Sequence, residues 1–388
     1  MNSVSGGPML PFFDQDHSSL CSRARAWVDE HLLNTGEPAA DIEAAALQLA
    51  RRLGDEEFFA YTIPGEFGGK RAKVQARDLC ILREELARGS ALADTMFALQ
   101  ALGSYPITLA GSAAQKRRYL PNVGTGAAIA AFALTEPEAG SDVASLQTQA
   151  TKRGHKYALS GTKRFISNAG IAAHYVLFAS TAPEKGAKGI SAFIIDAVTP
   201  GLVVKEKTVV MSPHPIGVIA LENCLVGADS LLGVEGEGLN IAYGTLDLLR
   251  CTVGAAAVGM AQRALEEAIR YSRERRQFGR TIGEFQGIQF KLADIATELE
   301  AARLLVYQAA WSHDCDGPDA KRRSAMAKLY ATEAAQRIID QALQIHGGAG
   351  VVAGSIMERL YRDIRALRIY EGTSEIQKLV IARELLRQ

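Results

Sequence analysis

The stretch Phe285-QGIQFKLADIATELEAARLL-Val306 sets Phe285, Ile288, Leu292, Ile295, Leu299, Ala302 and Val306 at alternating steps of three and four. That period lines one face of an α-helix with apolar side chains, the seam of a helix bundle. Upstream, Leu246, Leu249, Val253, Ala257, Met260 and Ala264 step by 3, 4, 4, 3 and 4, again a helical period. Downstream, the spacing predicts a third helix over about Asp319 to Ile345. Shorter helical segments follow at Tyr361–Tyr370 and Ser374–Arg387.

Working outward toward the N-terminus, the texture changes. Between Gly124 and about Gly227 the runs are short, β-favouring and separated by turns: Ile129–Leu134, Leu146–Thr151, Lys156–Gly161, Tyr175–Ser180, Ser191–Ile195 and Leu202–Lys205. Arg153-Gly154 between two of them suits a hairpin turn. Before Gly124 the chain is helical again, over Ala39–Leu53 and Ala76–Arg88, with loops at Pro64-Gly65 and Gly68-Gly69. The expected fold class is α+β and multidomain. It comprises an all-α domain over 1–123, a β-barrel-like or sandwich domain over 124–228 and a four-helix bundle over 229–388.

Composition narrows the function classes. The 388 residues carry 43 Lys+Arg against 43 Asp+Glu, a net charge of zero, which removes the long-range pull of a dedicated nucleic-acid binder. No run of 18 apolar residues occurs, and the longest apolar stretch, Cys251–Ala261, is too short to span a bilayer. The first thirty residues lack a basic start and apolar core, and Asp14, Asp16, Asp29 and Glu30 argue against a transit peptide. The five cysteines are scattered without a C-x-x-C pair and read as reduced thiols in a cytoplasmic setting.

Several motifs are weighed and set aside. Gly65-Glu-Phe-Gly-Gly69-Lys70 is one residue short of a phosphate loop, and Arg71 replaces the magnesium-holding Ser/Thr. Gly347-Gly348-Ala349-Gly350 follows a helix rather than a strand, so it reads as a helix end or as a close approach to a ligand or neighbouring chain. The seven histidines form no metal-ligand spacing, and no metal is expected. The basic run Arg273 to Arg280 is either a solvated helix end or a clamp for phosphate groups. Ser374 with Gln377 three residues on predicts a capping box and a new helix. Glu371 therefore lies in a tight break between helices, flanked by Tyr370 and Gly372, where a carboxylate can point into a cleft.

Four segments, in order, resemble the acyl-CoA dehydrogenase family over nearly the whole chain: Phe132-ALTEPEAGS-Asp142, Gly161-TKRFIS-Asn168, Arg273–Gly279 with Gln286, and Tyr370-Glu-Gly-Thr-Ser374. The resemblance implies FAD held between the β domain, the bundle and a second subunit of a homotetramer, a dimer of dimers. It implies that Phe132, Leu134, Thr135, Phe165 and Ser167 bind the flavin. Arg275, Phe278, Gln286, Gln344 and Gly348 would hold the neighbouring subunit's FAD. Thr373 and Glu375 would lie at the pyrophosphate and ribose side. Ser141 would touch CoA. Asp247 and Arg250 would line the CoA and base region, with Tyr370 and Gly372 beside the base.

The reaction implied is oxidation of an acyl-CoA thioester to the trans-2-enoyl-CoA. Glu371 would be the general base, a hydride would pass from Cβ to flavin N5, and electrons would go on to an electron-transfer flavoprotein. A subset of the family carries its base on the bundle helix, where this chain has Leu249, which leaves the role to Glu371. Phe97 and Tyr105, in the segment matching the acyl pocket, favour a short, branched or cyclic acyl group. The absence of a cation there disfavours a dicarboxylyl substrate. Between about Lys207 and Val226 the sequence departs from the family pattern, and His214 in that stretch is read as a turn residue or a ligand-facing one. Alternatives are an acyl-CoA oxidase, a nitroalkane-using relative (in which Asp usually replaces the base) and a DNA-associated flavoprotein without enzymatic activity.

Overall fold

Reciprocal capping starts the first helix. The Asp14 carboxylate accepts the N–H groups of Asp16 and His17, and His17 Nδ1 accepts the Asp14 N–H, opening α1 (Gln15–His31). Asp41 caps α2 (Ile42–Asp55), followed by α3 (Ala76–Gly89), α4 (Ala91–Ala110) and α5 (Ala113–Gly124), the last opened by a Ser112–Gln115 box. The structure, a computed structural model, describes residues 11–33 and 41–387. Ala39 and Ala40, the expected start of α2, lie outside them.

The strands follow: β1 (Ala130–Ala133), β2 (Gln149–Arg153), β3 (Lys156–Ser167), β4 (His174–Ser180), β5 (Ile190–Asp196), β6 (Leu202–Lys207), β7 (Ile216–Gly227) and β8 (Leu231–Leu232). They form one sheet in the order β6-β7-β3-β2-β4-β5-β8, with β1 parallel to β4. Arg153 pairs with Lys156, so the hairpin loop is Gly154-His155, with Gly154 at φ 62°. The chain continues as α6 (Gly238–Glu274), β9 (Arg276–Gln277), β10 (Arg280–Thr281), α7 (Gln286–Asp314), α8 (Ala320–His346), α9 (Ile356–Leu367) and α10 (Ser374–Leu386).

Three local expectations are corrected. The departing stretch 207–226 is not all loop, since β7 occupies most of it and pairs with both β3 and β6. Its signal is masked by Pro213 and Pro215 before it and by the polar pair Glu222-Asn223 within it. The helix expected at Tyr361–Tyr370 runs Ile356–Leu367, because Ser355 accepts the Glu358 N–H and starts it a turn earlier. The N-cap of α10 is Thr373, whose hydroxyl accepts the Ile376 N–H, while Ser374 Oγ donates to Glu333.

Backbone contacts divide the described chain into two compact units: 11–33, 75–94 and 250–387; and 41–74 with 95–249. In the second, β4 is buried along its whole length and alternates faces. Val176 and Phe178 pack with Ile107 of α4, Leu120 of α5 and Ile241 of α6. Tyr175, Leu177 and Ala179 pack with Leu159 of β3, Ile219 of β7 and Val204 of β6. The sheet therefore folds its inner face onto its own strands and covers the other with helices. In the first unit, α8 packs on α7, α9 and α10, and α3 packs on α1 and α7. Gly259 of α6 lies so close to α3 that a Cβ there would sit 2.0 Å from the Glu84 carbonyl oxygen. Among the described helices only α6 is long and apolar enough to cross a membrane, and 78% of that apolar window is buried inside the protein.

Candidate active site

The break between α9 and α10 carries Glu371 in the left-handed region, φ 52°, followed by Gly372 at φ 89°. Such a conformation costs a non-glycine residue about 1–3 kcal/mol and persists only where surroundings enforce it. The enforcing contacts are explicit. Lys328 Nζ donates to the carbonyl of Tyr370 at 2.5 Å and to that of Gly372. Gln377 Nε2 donates to the same Gly372 carbonyl at 2.8 Å. Ser374 N–H reaches back to the Arg368 carbonyl at 3.1 Å.

The Glu371 carboxylate is partly withdrawn from water. Although the residue is only half-buried, Oε2 is shielded from solvent and accepts no hydrogen bond. Burial pushes its pKa above the ordinary carboxylate value; Arg83, Lys328 and Arg250 pull the other way, and Asp94 adds to the rise. Arg83 of α3 is itself locked, with Nε 2.7 Å and Nη2 2.8 Å from the two Asp94 oxygens and Nη1 3.0 Å from Thr252 Oγ1. Lys328, wholly buried, has its pKa lowered to about 7, chiefly by desolvation. Burial also raises that of the Tyr370 hydroxyl.

Sequence reasoning found Glu371, Tyr370, Gly372 and Arg250 but missed Lys328, Arg83 and Asp94. A signal was present. Lys328 interrupts the buried stripe Ser324, Ala331, Ala335, Ile338 of α8, and Arg83 lies four residues after Leu79 and three before Leu86 in α3, which is buried all round from Asp78 to Arg88. Charges on apolar faces are rare unless paired or used.

In the other unit, β1 delivers the segment expected to meet the flavin. Gln100 of α4 accepts the Ala130 N–H at 2.7 Å and donates to the Ala128 carbonyl at 2.9 Å, fixing where β1 starts. Phe132 packs against Phe178 with ring planes tilted by 57° and centroids 5.0 Å apart, and Leu134 is buried. Thr135 is half-exposed, and its carbonyl accepts the Arg164 N–H at 2.9 Å. Arg164 and Phe165 form a bulge in β3 opposite β7. Phe165 there has φ 56° and is 49% exposed, an aromatic ring turned off the strand and available to stack. Buried Lys163 anchors the loop by donating to Glu136 at 2.8 Å and to the Leu134 carbonyl at 3.2 Å.

Ser167 at the end of β3 lies 3.1 Å from His214 Nε2, and His214 Nδ1 lies 2.9 Å from the Ser212 carbonyl. A carbonyl only accepts, so Nδ1 carries the proton and Ser167 donates to Nε2. Burial lowers the His214 pKa, keeping the ring neutral. His214 is thus a partner of a predicted flavin ligand.

The remaining residues are placed as follows. Arg275, Gln286, Gln344, Gly348 and Glu375 are exposed, and Phe278 is 92% exposed. Phe278 and Gly279, at φ 50° and 81°, form the two-residue turn between β9 and β10, so the basic run ends in a hairpin rather than a frayed helix. Gly347 to Val351 is a single 3-10 turn closing α8, and nothing lies within 4 Å of a Cβ built on Gly347 or Gly348. Ser141 is exposed; Asp247, Tyr105 and Thr373 are half-buried. Phe97 is wholly buried against Phe59, centroids 6.3 Å apart, and belongs to the core, since α4 is enclosed along most of its length.

Comparison with known proteins supplies the context. Models of the acyl-CoA dehydrogenase N-terminal, middle and C-terminal domains match residues 14–127, 131–224 and 236–386. A 3-(aryl)acrylate reductase of Clostridium sporogenes is 40% identical over 97% of this chain and all of its own. An acyl-CoA dehydrogenase of Bacillus subtilis is 42% identical, covering 90% and 93%. Among solved structures, butyryl-CoA dehydrogenase from Megasphaera elsdenii superposes with TM-score 0.91 at 34% identity, covering 97% and 99%. A chain from work on the electron transferring flavoprotein of Acidaminococcus fermentans gives 0.92 at 35%, covering 98% and 100%. An acyl-CoA dehydrogenase from Bacillus anthracis complexed with FAD gives 0.88 at 29%, covering 97% of this chain and 67% of that one. Three consecutive domain matches, and a helical, β and helical order that agrees with each, make this chain a member of the acyl-CoA dehydrogenase family, FAD-dependent oxidoreductases acting on CH–CH bonds.

Proposed function

We propose that the chain oxidises an acyl-CoA thioester to its trans-2-enoyl-CoA, with Glu371 removing the Cα proton. The observation that carries this reading is the Glu371 carboxylate itself: desolvated, unpartnered at Oε2 and held in a strained break beside three cations. A thioester α-proton is too weakly acidic for a solvated carboxylate. Desolvation raises the basicity of Glu371, and positioning removes the entropic cost of the encounter. Among the described residues the Glu371 main-chain N–H has no main-chain acceptor, which suits it to donate to the thioester oxygen as negative charge develops there.

Several features of the chain suit FAD: the exposed ring of Phe165, the half-exposed Thr135, the open turn at Gly347-Gly348, and exposed Arg275 and Phe278. When bound, FAD supplies the acceptor for the hydride leaving Cβ, so the Cα proton and the Cβ hydride depart together and the double bond forms between them. Electrons then pass to an electron-transfer flavoprotein, a reading supported by the likeness to the Acidaminococcus fermentans chain. The enzyme is a cytoplasmic homotetramer with domains over 1–123, 124–228 and 229–388. Its acyl group is short, branched or cyclic, a preference left resting on Tyr105 once Phe97 is assigned to the core.

A second reading is the reverse reaction, reduction of an enoyl-CoA, favoured by the name of the Clostridium sporogenes relative. The raised pKa of Glu371 serves both directions, since it holds a proton for Cα as readily as it removes one. Anaerobic titration of the yellow protein with butyryl-, isobutyryl-, cyclohexanecarbonyl- and palmitoyl-CoA, followed by flavin absorbance, tests the proposal. Bleaching by one of the first three is expected, and Glu371→Gln should keep FAD but lower the bleaching rate by about 10²–10⁴-fold. Undiminished bleaching in that variant removes Glu371 from the role.

A further inference from the structure

We propose that Lys328 is the positioning residue for the catalytic base: by bridging the carbonyls of Tyr370 and Gly372 it holds Glu371 in its left-handed conformation and aims the carboxylate. The inference rests on the reading of Glu371 as base. No part of the sequence reading singled out Lys328.

The geometry is specific. Lys328 projects from the first half of α8, wholly buried, and its two hydrogen bonds straddle Glu371, whose backbone is in the left-handed region. Burying an ammonium costs several kcal/mol, and a neutral amide could satisfy the same carbonyls. Gln377 already does so for Gly372. The charge therefore points to a second task. Lys328 spends its donors on main chain rather than on the carboxylate, so it favours the ionised form of Glu371 through space without occupying the oxygen that must take the proton. A direct ion pair would quench that oxygen.

The groups facing this pair are Arg83 from α3, Asp94 from α4, Arg250 from α6 and the Tyr370 hydroxyl of the break. Three of the four charges about Glu371 are positive. Removing Lys328 subtracts one of them, so the proton affinity of Glu371 must rise.

The test uses the FAD-loaded enzyme and an acyl-CoA with sulfur in place of C3. Its α-proton can be removed, but it has no β-hydride to give, so deprotonation is read alone as a long-wavelength absorbance band beside the oxidised flavin. In Lys328→Met the band is expected to form about 10²-fold more slowly. Its pH midpoint should lie about one unit higher, a tenfold change in proton affinity, with analogue affinity near that of the parent. Lys328→Gln keeps two N–H donors without the charge, and should recover most of the rate while its midpoint stays raised. If Lys328→Met does not fold, the midpoint in Lys328→Gln decides alone. Rates and midpoints equal to the parent's in the folded variants overturn the role of Lys328. Formation of the band in Glu371→Gln overturns the base assignment instead, so the two failures are told apart.

Discussion

At the scale of the residue, one side chain is governed by opposing influences. Burial favours the protonated form of Glu371, while Arg83, Lys328 and Arg250 favour the carboxylate, and burial prevails. A base acts only when deprotonated. The rate of flavin bleaching should therefore be low in acid and rise with pH through a midpoint above the ordinary carboxylate value of about 4.3. Stopped-flow reduction measured from pH 5 to pH 9 checks this, and a rate already flat at the acid end would contradict the desolvated base. Glu371 and its motif were legible in the sequence because the break, the following Gly and the helix start beyond it are local features. Arg83 and Lys328 were not, because they come from α3 and α8 and meet the loop only in the folded chain, and Arg250 of α6 was named only through the family resemblance.

At the scale of the element, the ion pair between Lys163 of β3 and Glu136 ties the loop after β1 to the sheet. Glu136 also accepts the N–H groups of Gln147 and Thr148, at 2.5 and 3.0 Å. Burial raises its pKa, but Lys163 and these donors more than offset that and hold it below the usual range. A carboxyl with a depressed folded pKa contributes stability that is complete above its unfolded value of about 4.3 and is lost as pH falls through the folded value. Glu136→Gln leaves the buried Lys163 charge uncompensated and should cost roughly 3–5 kcal/mol at pH 7. Denaturant unfolding at neutral pH and below pH 4 should show the parent losing in acid part of an advantage the variant never had. A gap under about 1 kcal/mol at neutral pH would refute the anchor. The small-residue face of α6 sets a second limit: Gly259→Ala drives a methyl into the α3 backbone. A loss of roughly 1–3 kcal/mol is expected, read as a lower melting temperature.

At the scale of the whole molecule, one copy of the chain exposes apolar side chains that a lone protein seldom leaves in water. Phe290 is 61% exposed, Val351 66%, Val352 60%, Phe278 92% and Leu386 86%. The half-buried Ile288 and Leu292 of α7 continue the predicted seam beyond the part that α8 and α3 cover. The proposed homotetramer would cover such faces, and light scattering should then return the mass of four chains of 41.6 kDa. Phe278 sits at the tip of a hairpin in the left-handed region, and Phe278→Ala keeps the Cβ that makes this conformation costly, so it removes the ring while leaving the strain of the turn unchanged. If its ring packs against a neighbour's cofactor, the variant should hold FAD about tenfold less tightly with its helix content unchanged. Equilibrium dialysis of FAD distinguishes that role from a purely structural one.

The helical, β and helical order, the seams of α6 and α7, six of the eight strands of the main sheet and the position of Glu371 in a break between two helices were determined by the chain alone, because each rests on periodicity or on residues adjacent in sequence. Only the tertiary structure decided the rest. It placed β7 between β6 and β3 despite the prolines before it, since both its edges gain partners there. It moved the α10 cap from Ser374 to Thr373, since Glu333 of α8 claims the serine hydroxyl. It put Phe97 in the core and set Lys328 against the Glu371 loop. The energy that determines those placements lies in contacts between segments far apart along the chain, and no local pattern carries it.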